Sequence, residues 1–98
     1  MSASPMSFTE RISSVSVAGP ASYSQTTPPV VAVPGLKHIL RLIDVSITGG
    51  YIAKGTVEAD GKVTVRVYQV STTTGLLVEV ANATNLSGET ITVVASGV

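Results

Sequence analysis

Tyr51-Ile-Ala-Lys-Gly-Thr-Val-Glu-Ala-Asp-Gly-Lys-Val-Thr-Val-Arg-Val-Tyr-Gln-Val70 reads as two strands around a tight turn. Asp60-Gly61 between alternating apolar runs is a strong short-range hairpin signal. Register decides which residues share a face. A two-residue Asp60-Gly61 loop pairs Ala59 with Lys62, which sets Thr56 opposite Val65 and Lys54 opposite Val67. A three-residue loop, with Gly61 in the left-handed position of a G1 bulge, pairs Glu58 with Lys62 instead. Val57 then meets Val63, Gly55 meets Val65 and Ala53 meets Val67 on an apolar face, while Thr56 meets Thr64 and Lys54 meets Arg66 on a polar one. A one-residue slip moves every side chain to the wrong face, so the second register is expected.

The composition around this hairpin points the same way. The chain holds 16 Val and 6 Ile against 6 Leu, with 12 Thr and 12 Ser. Val, Ile and Thr are stiff at χ1 and fit a pleated surface better than a helix. At 98 residues there is room for one small domain, and with only four aromatic residues its core is expected to be aliphatic. Charged residues are 12% of the chain, about half the usual share, and the net charge is zero. Nothing therefore steers the chain toward nucleic acid or an anionic membrane. There is no Cys, hence no disulfide framework and no thiolate nucleophile or metal ligand. A domain this small, without staples, gains most from partner subunits or from docking on a larger surface.

Upstream of the hairpin the chain divides near Gly35. Residues 1–34 contain all five prolines and are rich in Ser and Thr. Within them Arg11 to Ala18 reads as one short strand, Val15 and Val17 alternating with Ser14 and Ser16. Ala18-Gly-Pro-Ala breaks it. From Ser22 to Pro34 the composition favours extended, polyproline-like backbone, with Val30 to Val33 fit for a short edge strand. Residues 1–34 are thus expected to be an extended arm, loosely ordered or ordering on a neighbour, and residues 35–98 a compact β-domain. Residues 36–48 are ambiguous: Leu36, Ile39, Leu40 and Ile43 fit a helical face, whereas Ile43, Val45 and Ile47 alternate as a strand. A turn at 34–38 followed by a strand from about 39 to 48, ended by Gly49-Gly50, reconciles the two. Downstream, Leu76, Val78 and Val80 mark a strand at 76–80. Residues 81–88 are an Asn/Ser/Gly connection, and 89–95 form a last strand. The fold class is all-β: a small sandwich or partly closed barrel of about six to eight short strands with an extended N-terminal arm.

The inventory for chemistry is thin. His38 is the only histidine, so neither a two-His metal site nor a Ser–His–Asp array is complete, and it reads as a surface residue beside a turn. The six carboxylates (Glu10, Asp44, Glu58, Asp60, Glu79, Glu89) are scattered. Glu58 and Asp60 flank a turn, and Glu79 is expected to pair with a Lys or Arg across the sheet. No phosphate cradle of the GxxxxGK or GxGxxG type exists. Asn82-Ala-Thr84 and Asn85-Leu-Ser87 match the glycosylation pattern, but read better as turn-capping residues that tolerate left-handed backbone. Lys54, Arg66 and Lys62 share a polar face; without stacking aromatics among them they read as a solvated surface. No signal peptide and no membrane-length apolar run is present, so the chain is expected to be soluble. No catalytic residue, cofactor or metal is expected.

The stretch from Leu42 to Ala95 resembles small structural proteins of tailed-phage heads. It has an aliphatic strand into Gly49-Gly50-Tyr51, a Gly61-Lys62-Val63 hairpin and Val65-Arg-Val-Tyr68. Its closing stretch, Leu77-Val-Glu-Val-Ala-Asn82 with Asn85-Leu-Ser87, is similar to the end of many such proteins. The resemblance implies a capsid decoration, or cement, protein: a β-sandwich or barrel that binds the outside of the shell at junctions between major capsid subunits. It implies no catalytic residues. It also implies a symmetric homo-oligomer, a trimer favoured, assembled in the host cytoplasm and located on the virion. The major capsid protein is the expected partner, with neither nucleic acid nor membrane. The arm supplies the candidate partner contacts: Phe8, Arg11, Tyr23, Pro28, Pro29, Val30 and Val31. A carbohydrate- or surface-binding module of a fibre or tail tip is the alternative.

Overall fold

A computed structural model of the chain describes residues 10–98. The chain is all-β, with seven strands in two antiparallel sheets. The strands are β1 (Arg11–Ala18), β2 (Val30–Ala32), β3 (Ile39–Ile47), β4 (Ile52–Val57), β5 (Lys62–Val70), β6 (Leu77–Glu79) and β7 (Thr90–Gly97). One sheet has the order β1-β7-β3. In the other, β4 lies on one edge of β5 and the short strands β2 and β6 pair with opposite ends of β5. The two sheets pack as a sandwich rather than closing into a barrel. Alternation places Val63, Val65 and Val67 of β5 against Ile91, Val93 and Ala95 of β7, all with no measurable exposure.

The β4–β5 hairpin has the expected register: Val57 faces Val63, Gly55 faces Val65 and Ala53 faces Val67. Glu58 N–H donates to Lys62 O at 2.8 Å across the three-residue loop. Gly61 is left-handed at φ 71°, and Asp60 is left-handed too at 62°, a conformation a short polar side chain tolerates. The turn is docked as well as tight. Gly61 O accepts Val33 N–H at 2.9 Å, and a Cβ on Gly61 would strike the Leu36 carbonyl oxygen.

Two bulges explain the mixed periodicity of residues 36–48. The β3–β7 register shifts between Ile39 and Arg41 and again between Leu42 and Asp44. Each inserted residue moves the next inward position by one. Ile39, Leu42, Val45 and Ile47 therefore all pack against the core, while Leu40 and Ile43 stay exposed. The inward spacing of three, three and two imitates a helix in a segment that is a strand.

Residues 11–33 require a correction: the division at Gly35 is not a boundary of the core. β1 pairs with β7 along its whole length, from Arg11 opposite Gly97 to Ala18 opposite Thr90. The Pro/Ser/Thr-rich stretch that follows is fastened to residues 80–86. Leu86 N–H donates to Pro20 O (2.8 Å), Tyr23 N–H to Thr84 O (2.9 Å) and Ala83 N–H to Tyr23 O (2.7 Å). Extended backbone with few donors of its own found partners on a neighbouring loop of the same chain. The core is not wholly aliphatic either, because Tyr23 is its largest fully buried side chain.

Candidate functional site

Of the seven residues expected to contact a partner, Phe8 lies outside the described residues. Tyr23 and Val31 are 1% and 4% exposed and belong to the core, so they are not contact residues. The sequence reading missed this because alternation through a Pro-rich stretch gives no face to assign. Pro28 and Pro29 are half-buried, and Pro29 O accepts Val65 N–H at 2.9 Å. Arg11 and Val30 remain exposed. The structure thus does not gather the six described ones into one surface.

Tyr23 instead organises the polar residues around it. Val80 N–H donates to Val67 O at 2.9 Å, the first half of a ladder pair between β5 and the end of β6. The return bond is replaced. Val67 N–H donates to Tyr23 Oη (3.1 Å), and Val80 O accepts from Gln25 Nε2 (2.9 Å). Tyr23 Oη donates in turn to Glu79 Oε2 at 2.6 Å, the same oxygen that Arg66 Nη1 reaches at 3.0 Å. Arg66 Nη1 also donates to Gln25 O at 2.9 Å. The expected cross-sheet partner of Glu79 is therefore Arg66, which lies two residues before Tyr68, the residue opposite Glu79 on β5. Burial pushes the Tyr23 phenol up to about 12, and its hydrogen bond to the Glu79 carboxylate acts in the same direction. A neutral, enclosed phenol that both donates and accepts a hydrogen bond acts as a strut within the fold.

Several other polar side chains are engaged within the fold. Lys54 Nζ sits 5.2 Å from the centroid of the Tyr68 ring. Thr48 Oγ1 donates to Glu89 Oε1 at 2.6 Å and accepts Thr90 N–H at 3.0 Å. Glu10 accepts from Ser96 Oγ and pairs with Arg41 Nη2 at 3.1 Å, so one carboxylate spans from β1 across β7 to β3. Asn85 caps locally, accepting Ser87 N–H at 2.9 Å, whereas Asn82 Oδ1 reaches across to Gln25 N–H at 2.7 Å. The left-handed residue of that connection is Ala83, φ 69°, and not an Asn. His38 is exposed, and its backbone exchanges two 3.0 Å hydrogen bonds with Val98. Among the described residues no group of three His, Cys, Asp or Glu side chains is placed to hold a metal ion.

What the surface offers is aliphatic. Val70, Leu76, Leu77 and Val78 are all exposed at the far end of the β5–β6 pair, with Ile52 beside them on β4. No charged residue lies between Arg66 and Glu79. The signal was in the sequence as a twelve-residue uncharged run. Leu40 and Ile43 are carried outward by the β3 bulges, and Ile12 is 74% exposed on β1. No protein-family model, curated protein or solved structure matches the chain.

Proposed function

We propose that the chain is a non-enzymatic structural protein of a tailed-phage virion. It binds the outer surface of the capsid as a decoration protein and clamps neighbouring major capsid subunits. The observation that carries this reading is the surface just described. Ten large aliphatic side chains stand exposed among the described residues, while Tyr23, Arg66, Glu79 and Glu89 are held in bonds that fasten the fold. A contiguous exposed apolar patch on a small domain marks a contact surface, and Val70, Leu76, Leu77 and Val78 adjoin one another at the β5–β6 end. The resemblance of residues 42–95 to phage head proteins supplies the kind of surface it contacts. Its most specific residues are structural here: Val80 and Leu86 are fully buried, and Asn82 fastens Gln25. They contribute no binding group of their own.

A carbohydrate-binding module is less well supported, because such sites stack sugars on open aromatic faces. Tyr23 is buried and Tyr68 carries Lys54 over its ring. Cosedimentation with shells assembled from the cognate major capsid protein tests the proposal. The protein is expected in the pellet at a saturating ratio to the shell subunits. Leu77→Asp with Val78→Asp should abolish pelleting while leaving the thermal melt of the free protein nearly unchanged. A protein that stays in the supernatant with intact shells would overturn the reading.

A further inference from the structure

β1 is an edge strand whose outer side has no partner among the described residues. Gly19 N–H donates to Glu89 O at 2.9 Å, in line with the β1–β7 register. Antiparallel alternation then turns the N–H and C=O of Val17, Val15 and Ser13 toward β7, and those of Ala18, Ser16, Ser14 and Ile12 toward the free edge. All four edge residues are exposed. Folded proteins blunt such edges by shortening, bulging or charging them. The other edges here are treated that way: β2 and β6 are three residues each, β3 is bulged twice and carries Arg41 and Asp44, and β4 carries Lys54 and Gly55. β1 alone runs eight residues with no Pro and no bulge, and its single charge is at its first residue, Arg11.

We propose that this edge pairs with β1 of a second copy, antiparallel about a two-fold axis at Val15. That register is the one that uses every outward group. Ile12 pairs with Ala18 of the second copy and Ser14 with Ser16, forming about eight interchain backbone hydrogen bonds. It is also self-complementary in charge and bulk. Arg11 falls opposite the buried Gly19, at the end of the ladder, and the two Arg11 residues stand about 26 Å apart at opposite ends. Ile12 covers Ala18 on the outer face, and on the inner face Val15 meets Val15 where both are half-buried at the rim of the core. Pro20, lacking an N–H, ends the ladder. The pairing joins two three-stranded sheets into one of six strands. Because the contact is isologous it closes as a dimer, not the trimer that the resemblance favours. It does not depend on the capsid reading: a dimer that ignores shells leaves it standing.

Sedimentation and amide hydrogen exchange on the full chain test it. From micromolar to millimolar concentration the mass should rise toward twice that of the monomer. The amides of Ile12, Ser14, Ser16 and Ala18 should become protected in step, whereas those of Ser13, Val15 and Val17 are protected throughout. Ser16→Pro removes an outward N–H and leaves the backbone ladder to β7 intact, losing only the exposed Ser16–Thr92 hydroxyl bond, so the variant should melt close to Ser16→Ala yet dimerise at least about tenfold more weakly than it. The double variants read the register. S14K/S16E places Lys opposite Glu in both pairs and should dimerise at least as well as the parent, whereas S14K/S16K should remain monomeric. A monomer at all concentrations, an oligomer whose β1 edge amides stay unprotected, or equal association of the two double variants would overturn the pairing.

Discussion

Tyr23 Oη sits where β5 and the end of β6 would otherwise complete a ladder pair, taking Val67 N–H and giving its own proton to Glu79. The phenol therefore does the work of a backbone carbonyl in the middle of the core. Tyr23→Phe keeps the ring but leaves Val67 N–H without its acceptor and Glu79 without its shortest bond. A loss of about 1–3 kcal/mol in chemical denaturation is expected. The pH dependence has a definite sign. Folding raises the phenol from 10.0 to about 12, so its contribution is fully present below pH 10 and is lost as the pH rises through 12. Denaturation midpoints followed from pH 9 upward should fall across that window in the parent, and the fall should be shallower in Tyr23→Phe. Equal alkaline slopes would show that Tyr23 does not carry the effect.

The strands are where the sequence was most and least informative. The β4–β5 hairpin was legible to the residue, because only one register keeps Val57, Val63, Val65 and Val67 on one side. Gly55 adds a second reason for that register. It lies on the inner face under β3, where a Cβ would come 2.8 Å from Val45 Cγ2 and 3.0 Å from Leu42 Cδ1. Gly55→Ala should accordingly destabilise by about 1–3 kcal/mol through overpacking, despite the better strand propensity of Ala, and Val45→Ala in the same chain should recover part of the loss. β3 was legible as a strand only by compromise, since bulges that insert Leu40 and Ile43 erase the period of two. Residues 19–34 were misjudged as an arm. Their bonds to residues 80–86 are long-range, and long-range partners leave no trace in local composition. The contact surface was misplaced for the same reason: Tyr23 and Val31 went inward, and the exposed apolar group appeared at the β5–β6 end instead.

At the scale of the molecule, these bonds make residues 11–33 inseparable from the rest. Removing residues 1–34 takes away β1, β2 and the buried side chains of Tyr23, Val31 and Val33. At roughly 1.5–3 kcal/mol for each buried side chain, that loss is comparable with the whole stability of about 5–15 kcal/mol expected for a domain of this size. The truncated chain should be unfolded by circular dichroism and amide dispersion. A chain lacking only residues 1–9, which keeps all seven strands, is the proper means of asking whether that segment contributes to shell binding. Among the described residues the outside then offers exposed aliphatic side chains and one unblunted strand edge. Such a molecule is suited to holding other proteins together. The thermal stability of cognate capsid shells, measured with and without saturating protein, tests this most directly. Decorated shells should withstand a higher temperature before releasing their contents, and the gain should vanish with Leu77→Asp/Val78→Asp. Identical disruption temperatures for bare and protein-saturated shells would contradict the account.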